Sequence, residues 1–488
     1  MSGIRRPGFA LAIALAFGGA PAAAQSAAQN RAKVTQHGIT WSFDRAAATG
    51  QFVNGDWWVV GPVVVVSVDP PPGKAAAGEA GAASKNRYGD SALRADDRMR
   101  NGSMLNPKGA DAQGYDSRAI NYQPQLSVKF PCPLAPGQSL VSAISHATGP
   151  NENFMKGWGE KSNSTLKTAA VLTCVPSPMP PDAFRPAFAG DAKVVARAKS
   201  LKRERLLALK PVRGAPPWDV FVRYLERPWI DHVMGWVGIQ AISPTENMPD
   251  YGREFARLTG MGTLLLNLEG PPAEKEKLLV GMVQLGIDLY GIALAGGAWN
   301  EGGGLTSGRK WPILFAGLLL DDKAMQAYVR TATFHEDAQT YYGKGWTGAT
   351  ALWQMVNHHG ARATYEEKPP AQWDRWDRLS EDYRRSSTSV GWVGEALAAR
   401  LMGAVKAWGH DAFFDYCDRW MSENDAEAVK KMGGDTIRQG KTFDPFVDAM
   451  WAAYRKAAPA QEGAAQNLKY VVDPKSGRGK WEPNPREK

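Results

Sequence analysis

The spacing of apolar residues changes about a third of the way along the chain. From Gly38 the pattern has the two-residue period of strands: Ile39-Thr40-Trp41-Ser42-Phe43 alternates apolar and polar positions. Asp56-Trp57-Trp58-Val59-Val60 and Val63-Val64-Val65-Val66-Ser67-Val68 are β-branched or aromatic runs, punctuated by Asn54-Gly55 and Gly61-Pro62. Leu126-Ser127-Val128-Lys129-Phe130 and Ala169-Ala170-Val171-Leu172-Thr173 predict two further strands, and 73–118 reads as a long loop or as short strands of unassigned register. The expectation is a β-sandwich-like domain over residues 37–175. Pro176, Pro178, Pro180 and Pro181 then predict a linker over 176–187.

Beyond the prolines the period becomes helical. Helices are predicted over 188–210, 218–237, 250–268, 273–296, 309–320, 322–332, 347–358, 375–385, 391–408, 410–421 and 443–456. Pro271-Pro272-Ala273-Glu274 and Asp321-Asp322 are start signals, and Gly360 is a stop signal. Many helices with short connections predict antiparallel hairpins side by side. The expected architecture is therefore multidomain α and β, with an (α/α) toroid of hairpins over 188–458 and a tail over 459–488. Gly391, Gly394, Ala396, Ala398, Ala399, Gly403 and Ala404 suit crowded inner helices, and Tyr470-Val471-Val472 suits one added strand.

The first 24 residues change the picture of where the chain works. Arg5-Arg6, the apolar stretch from Phe9 to Phe17 and Ala22-Ala23-Ala24 make a signal peptide, followed by a polar leader over 25–36. A periplasmic or secreted protein with no membrane span is expected. Export permits a disulfide, and Cys132 with Cys174 is the candidate pair; Cys417 falls in a helical pattern as a buried thiol. No cysteine cluster has zinc spacing. The formal charge is +9, which favours polyanionic partners. With export, and without a nucleic-acid-binding module, an acidic polysaccharide fits better than nucleic acid.

Chemistry concentrates late in the helical pattern. Asn357-His358-His359-Gly360-Ala361-Arg362 and Tyr383-Arg384-Arg385 bring together amide, imidazole, guanidinium and phenol groups. Cleaving a polyuronate by β-elimination needs such groups: the uronate carboxylate must be neutralised, a base must take the C5 proton, and an acid must protonate the departing oxygen. The Asn-His pair, in an apparent helical toroid after a signal peptide, resembles that of the (α/α)-toroid polysaccharide lyases, including alginate and glucuronan lyases. The resemblance lies within residues 215–456. It implies that Asn357 and His358 face the uronate carboxylate, with Tyr383 as acid or base and Arg384 nearby. It implies no metal and no cofactor. The chain departs from the pattern in having Asn-His-His where several of those families have Asn-Asn-His, and in placing Tyr383 soon after His358.

Two more clusters complete the candidate substrate contacts. Trp299-Asn300-Glu301-Gly302-Gly303-Gly304, with Arg309 shortly after, reads as a cleft rim. In Phe334-His335-Glu336-Asp337-Ala338-Gln339-Thr340-Tyr341-Tyr342, Tyr341 and Tyr342 are alternative phenols. On a helix, Trp346, Trp353 and Asn357 share one face as a sugar-binding wall, and Arg362 follows it. Two other functions stay open. One is an inverting glycoside hydrolase using Glu301 with Glu336 or Asp337, or Glu246 and Asp250. The other is a non-catalytic glycan-binding envelope protein.

Overall fold

A computed structural model describes residues 28–75, 96–119, 121–147, 151–152, 161–162, 164–235, 241–300, 303–356, 364–423, 426, 430, 440–457, 468–472 and 479–483. The signal segment, Glu301, Asn357, His358, Gly360 and Arg362 lie outside these residues.

The β texture folds into strands β1 (Gln29–Gln36), β2 (Ile39–Gln51), β3 (Trp57–Val60), β4 (Val63–Asp69), β5 (Ser103–Leu105), β6 (Cys132–Leu134), β7 (Ser139–Ser145), β8 (Asn151–Glu152), β9 (Lys161–Ser162) and β10 (Leu166–Val175). All but the short β8–β9 pair join one eight-stranded sheet, in the order β5-β7-β10-β3-β2-β4-β6 with β1 alongside β2. Only the β10–β3 pairing in it is parallel. Register shifts at Arg31/Lys33, Ser42/Phe43 and Leu166/Thr168 accompany its curl into a half-barrel.

The predicted sandwich of two sheets is thus a single curled sheet, because helices cover the face that a second sheet would have covered. In β10 and β7, Ala169, Val171, Val141 and Ala143 enter the main core shared with the helices. Ala170, Leu172, Cys174 and Leu140 enter a second core inside the curl, with Trp41, Phe43, Val59, Val63 and Val65. Burial on both faces explains why β10 is an almost unbroken apolar run. The strand predicted over 126–130 is a 3-10 turn, Pro124–Leu126, leading into an irregular stretch. Cys132 and Cys174 are buried free thiols, Cys174 with its Sγ 3.4 Å from the Leu134 carbonyl, rather than the expected disulfide.

The helical region comprises α1 (Trp218–Leu225), α2 (Gly252–Leu266), α3 (Pro272–Leu294), α4 (Lys310–Leu319), α5 (Lys323–Thr331), α6 (His335–Gln339), α7 (Arg375–Tyr383), α8 (Ser389–Leu401), α9 (Val405–Trp408), α10 (Asp411–Ser422) and α11 (Pro445–Tyr454). Pro272 opens α3, and the Asp322 carboxylate caps α5 by accepting from the amides of Ala324 and Met325. The predicted helix 391–408 divides at Gly403, whose φ of 63° ends α8. The predicted helix 218–237 stops at Leu225, shortly before Pro228.

Two predicted helices do not form. Residues 188–210 run as a strap with 3-10 turns at Ala198–Ser200 and Arg203–Arg205. The strap bonds to its neighbours instead of to itself: Lys202 N–H donates to the Leu319 carbonyl and Leu209 N–H to that of Asn267. Residues 347–358 hold β12 (Ala351–Trp353), paired antiparallel with β11 (Thr340–Tyr342). Gly343, Gly345 and Gly348 lie in the connection and disfavour a helix there. Trp346 and Trp353 therefore share no helical face.

Helices α2 and α8 pack closely at the centre of the region. A Cβ on Gly260 would lie 2.7 Å from the Glu395 amide nitrogen and 2.8 Å from the Gly394 carbonyl carbon. The proline-rich stretch leads into buried Phe184, Arg185, Ala187 and Phe188. Arg185 pairs with Asp56 from the sheet region at 2.5 Å and with Asp288 of α3 at 2.6 Å. In the tail, β13 (Leu468–Val472) pairs with β14 (Gly479–Pro483), near the strand expected at Tyr470.

Candidate functional site

The loop Gly303–Gly308 is where separate sequence clusters meet. From α6, the Gln339 side-chain amide donates to the Gly303 carbonyl at 3.0 Å. His335 Nδ1 meets Thr306 Oγ1 at 2.8 Å, and Glu336 accepts from the Gly308 amide at 2.5 Å. On the other side, a Cβ on Gly304 would lie 2.6 Å from the Ser387 carbonyl oxygen and 2.6 Å from the Tyr251 hydroxyl. Glycine at 304 is thus required by the approach of the segment after Tyr383. Gln354 N–H donates to the Gln339 carbonyl, and the Gln354 side chain donates to the Ala338 carbonyl. Gln354 is therefore held beside α6.

Tyr383 is half-buried at the end of α7, where the helix widens into a π-turn over Arg384–Thr388. π-Turns are uncommon and recur at functional sites. This one is pinned by Arg253, whose guanidinium donates to the Ser386 carbonyl at 2.7 Å.

Arg384, expected near Tyr383, follows it in the chain with its guanidinium turned into the core. It is buried, and donates to Glu381 at 2.6 and 2.7 Å. Arg385 also donates to Glu381, at 2.6 Å, and Tyr365 bonds the same carboxylate. Burial alone would raise the Glu381 pKa, but Arg384 and Arg385 outweigh it and hold the group below the usual range. Glu366 joins the network through Arg419 at 2.8 Å and through the Trp353 amide at 2.6 Å. Arg384 thus positions the π-turn, with its charge already balanced by protein carboxylates.

The other nominated contacts divide in the same way. Trp299 is 1% exposed and stacks on Phe334, while Asn300 beside it is half-buried. Trp353 is sealed against Tyr365, so neither of these tryptophans presents a face to a glycan. Trp346 keeps partial exposure. Arg309 is closed by Asp231 at 2.8 and 2.9 Å, both side chains fully buried. Tyr341 bonds Glu367 and Tyr342 bonds Asp415. Burial, reinforced by those carboxylates, raises both phenol pKa values and keeps both groups as neutral phenols, weaker acids than an exposed tyrosine.

Glu395 was not among the nominated residues. It lies on α8, and its Oε1 accepts from Thr259 Oγ1 of α2 at 2.6 Å. Its sequence signal is a lone carboxylate within a helix that is buried throughout, Ser389–Leu401. Asp337 of α6 is engaged by Lys310 at 2.6 Å and by the Trp408 indole at 3.0 Å. Among the described residues, no group of three or more His, Cys, Asp or Glu side chains has the arrangement of a metal site.

Comparisons with protein-family models, with curated proteins and with solved structures found no significant match to this chain.

Proposed function

We propose that the protein is an exported lyase that cleaves a uronate-containing acidic polysaccharide by β-elimination, at the face built around Gly303–Gly308. The observation that carries this reading is the convergence on that loop. It gathers the Trp299 cluster, the His335 cluster and the segment after Tyr383, which are far apart in sequence. Gln354, a few residues before the Asn-His pair in the sequence, is held beside α6 as well. In this reading Asn357 and His358, as the resemblance implies, neutralise the uronate carboxylate. Tyr383 exchanges the proton, taking it from C5 or delivering it to the leaving oxygen. Asn300 and Trp346 contribute substrate contacts, while Trp299, Arg309, Trp353 and Arg384 form the frame. The α2–α8 pair and the hairpins around it would be the inner part of an (α/α) toroid. The basic formal charge of +9 supports an acidic polymer as substrate.

The test is the ultraviolet absorbance of an unsaturated uronate product. The chain from residue 25 onward is incubated with alginate, glucuronan, pectate, hyaluronan and heparan-type polymers. Absorbance should rise on at least one of them and be abolished by His358→Ala and by Tyr383→Phe, with both variants folded. New reducing ends without absorbance would replace elimination by hydrolysis, and full turnover in both variants would remove the assigned residues.

A further inference from the structure

Two carboxyl groups in the core are not used by the proposed chemistry. Glu336 of α6 and Glu395 of α8 are both fully buried. Each has one oxygen satisfied: Glu336 Oε1 by the Gly308 amide and Glu395 Oε1 by Thr259. Neither Oε2 has a hydrogen-bond partner among the described residues.

The elements bring these carboxyls onto one stretch of α2. Gly308 packs directly against the backbone of Phe255 and Ala256. Thr259, which holds Glu395, lies about 4.5 Å further along the same helix axis. Trp392, one turn before Glu395, donates to Ser307 Oγ at 3.1 Å and rests its ring against His335. Two ionised carboxylates so placed in a buried core would repel strongly.

We propose that Glu336 and Glu395 share a single proton, one Oε2–H donating to the other Oε2, and that this clasp fastens the Gly303–Gly308 loop and the α6 turn to the α2–α8 pair. One carboxylic acid and one carboxylate satisfy both bare oxygens and leave one negative charge. Arg309, over the Phe255 ring and paired with Asp231, lies close enough to moderate that charge. The other titratable groups facing the pair have their own places. Asp337 is held by Lys310, and His335 meets Thr306. His410 bonds the Thr340 carbonyl, and Cys417 of α10 is a buried thiol. Burial, and for Glu395 also the charge on Glu336, raises both carboxyl pKa values, Glu336 to about 7.

A carboxyl held protonated in the fold stabilises it at acid pH. That contribution is lost as the pH rises from the ordinary carboxylate range through the folded value. Loss of the shared proton should therefore loosen the loop on the alkaline side.

The test needs no substrate. Hydrogen exchange of the Gly308 amide is followed in the folded chain from pH 6 to pH 9, with the intrinsic pH dependence divided out. In the wild type, protection should fall about tenfold or more across this range. In Glu395→Gln the amide N–H takes over the role of the shared proton, so protection should stay high and flat. Glu336→Gln should behave likewise, since its remaining oxygen still accepts from Gly308. Flat protection in the wild type would overturn the clasp. So would an unchanged decline in either glutamine variant, because another group would then be titrating. Failure of both variants to fold would also overturn it, since each keeps the donor the clasp requires.

Discussion

Buried histidines make the fold sensitive to acid, and His232 is one of them. His232 is fully buried between the Lys108 carbonyl, 3.2 Å from Nδ1, and the Tyr115 hydroxyl, 3.2 Å from Nε2. Burial pushes its pKa down to about 4. The unfolded chain takes up the proton near the ordinary histidine value, whereas the folded chain refuses it until much lower pH. Stability from neutral His232 is therefore complete above about 6.5 and lost as the pH falls toward 4. Urea unfolding at a series of pH values should show this decline, and His232→Gln should flatten part of it. An unchanged acid slope in the variant would assign the effect elsewhere. At this scale the sequence was only partly legible. It singled out Tyr383, which the fold leaves half-buried beside a π-turn. It also singled out Arg384 and Arg309, whose carboxylate partners consume them, and Trp353, whose ring is sealed against Tyr365. Residue type announces a chemical capacity, whereas availability depends on partners brought in from distant segments.

At the scale of elements, several helices were legible from the apolar period, α3 and α5 with a start signal as well. α2, α3, α4 and α5 fall within a residue or two of their expected bounds. The misreadings are physical as well. Residues 188–210 carry helix-forming basic and apolar residues, but their backbone bonds to α4 and to the end of α2. β12 looked helical because Trp346 and Trp353 are seven apart, but a glycine-rich turn and a paired strand use those residues otherwise. The crossing of α2 and α8 gives the sharpest prediction here. The atoms that a Cβ on Gly260 would meet are backbone atoms of α8, which cannot swing aside. Gly260→Ala should therefore cost roughly 1–3 kcal/mol, despite alanine's better helix propensity. Chemical denaturation measures this, and a neutral or stabilised variant would show that the helices can part without penalty.

For the whole molecule, Arg185 matters more than any one layer. Its guanidinium lies between Asp56 and Asp288 with no exposed side-chain surface. Removing it strands two buried carboxylates, so Arg185→Met should destabilise the chain by about 3–5 kcal/mol. The main core contains residues of β7 and β10 as well as of the helices. Intrinsic tryptophan fluorescence and far-ultraviolet circular dichroism should accordingly report one coincident transition on heating. Two separated transitions would mean that sheet and helices are held independently. The sequence marked the change from strand to helical texture, but it also placed a linker at that change. Its prolines were legible; the burial of Phe184, Arg185 and Phe188 just after them was not, because the partners come from both sides of the chain.

The two-faced burial of β10 has a consequence for how the strand finds its alignment. Most half-buried strands carry an inside-outside label, and a slip by one residue turns the apolar face to water. β10 has no such label, since Ala169, Ala170, Val171 and Leu172 are all sealed. Water cannot reject a slipped pairing there; size and polar matching must do so. A one-residue shift would place Leu172 where Val171 meets the helices, or Thr168 where Ala169 does, and would separate Thr173 from Ser139, whose hydroxyls meet at 3.1 Å. The step in size from Val171 to Leu172 and one buried hydroxyl pair thus serve as the strand's alignment marks.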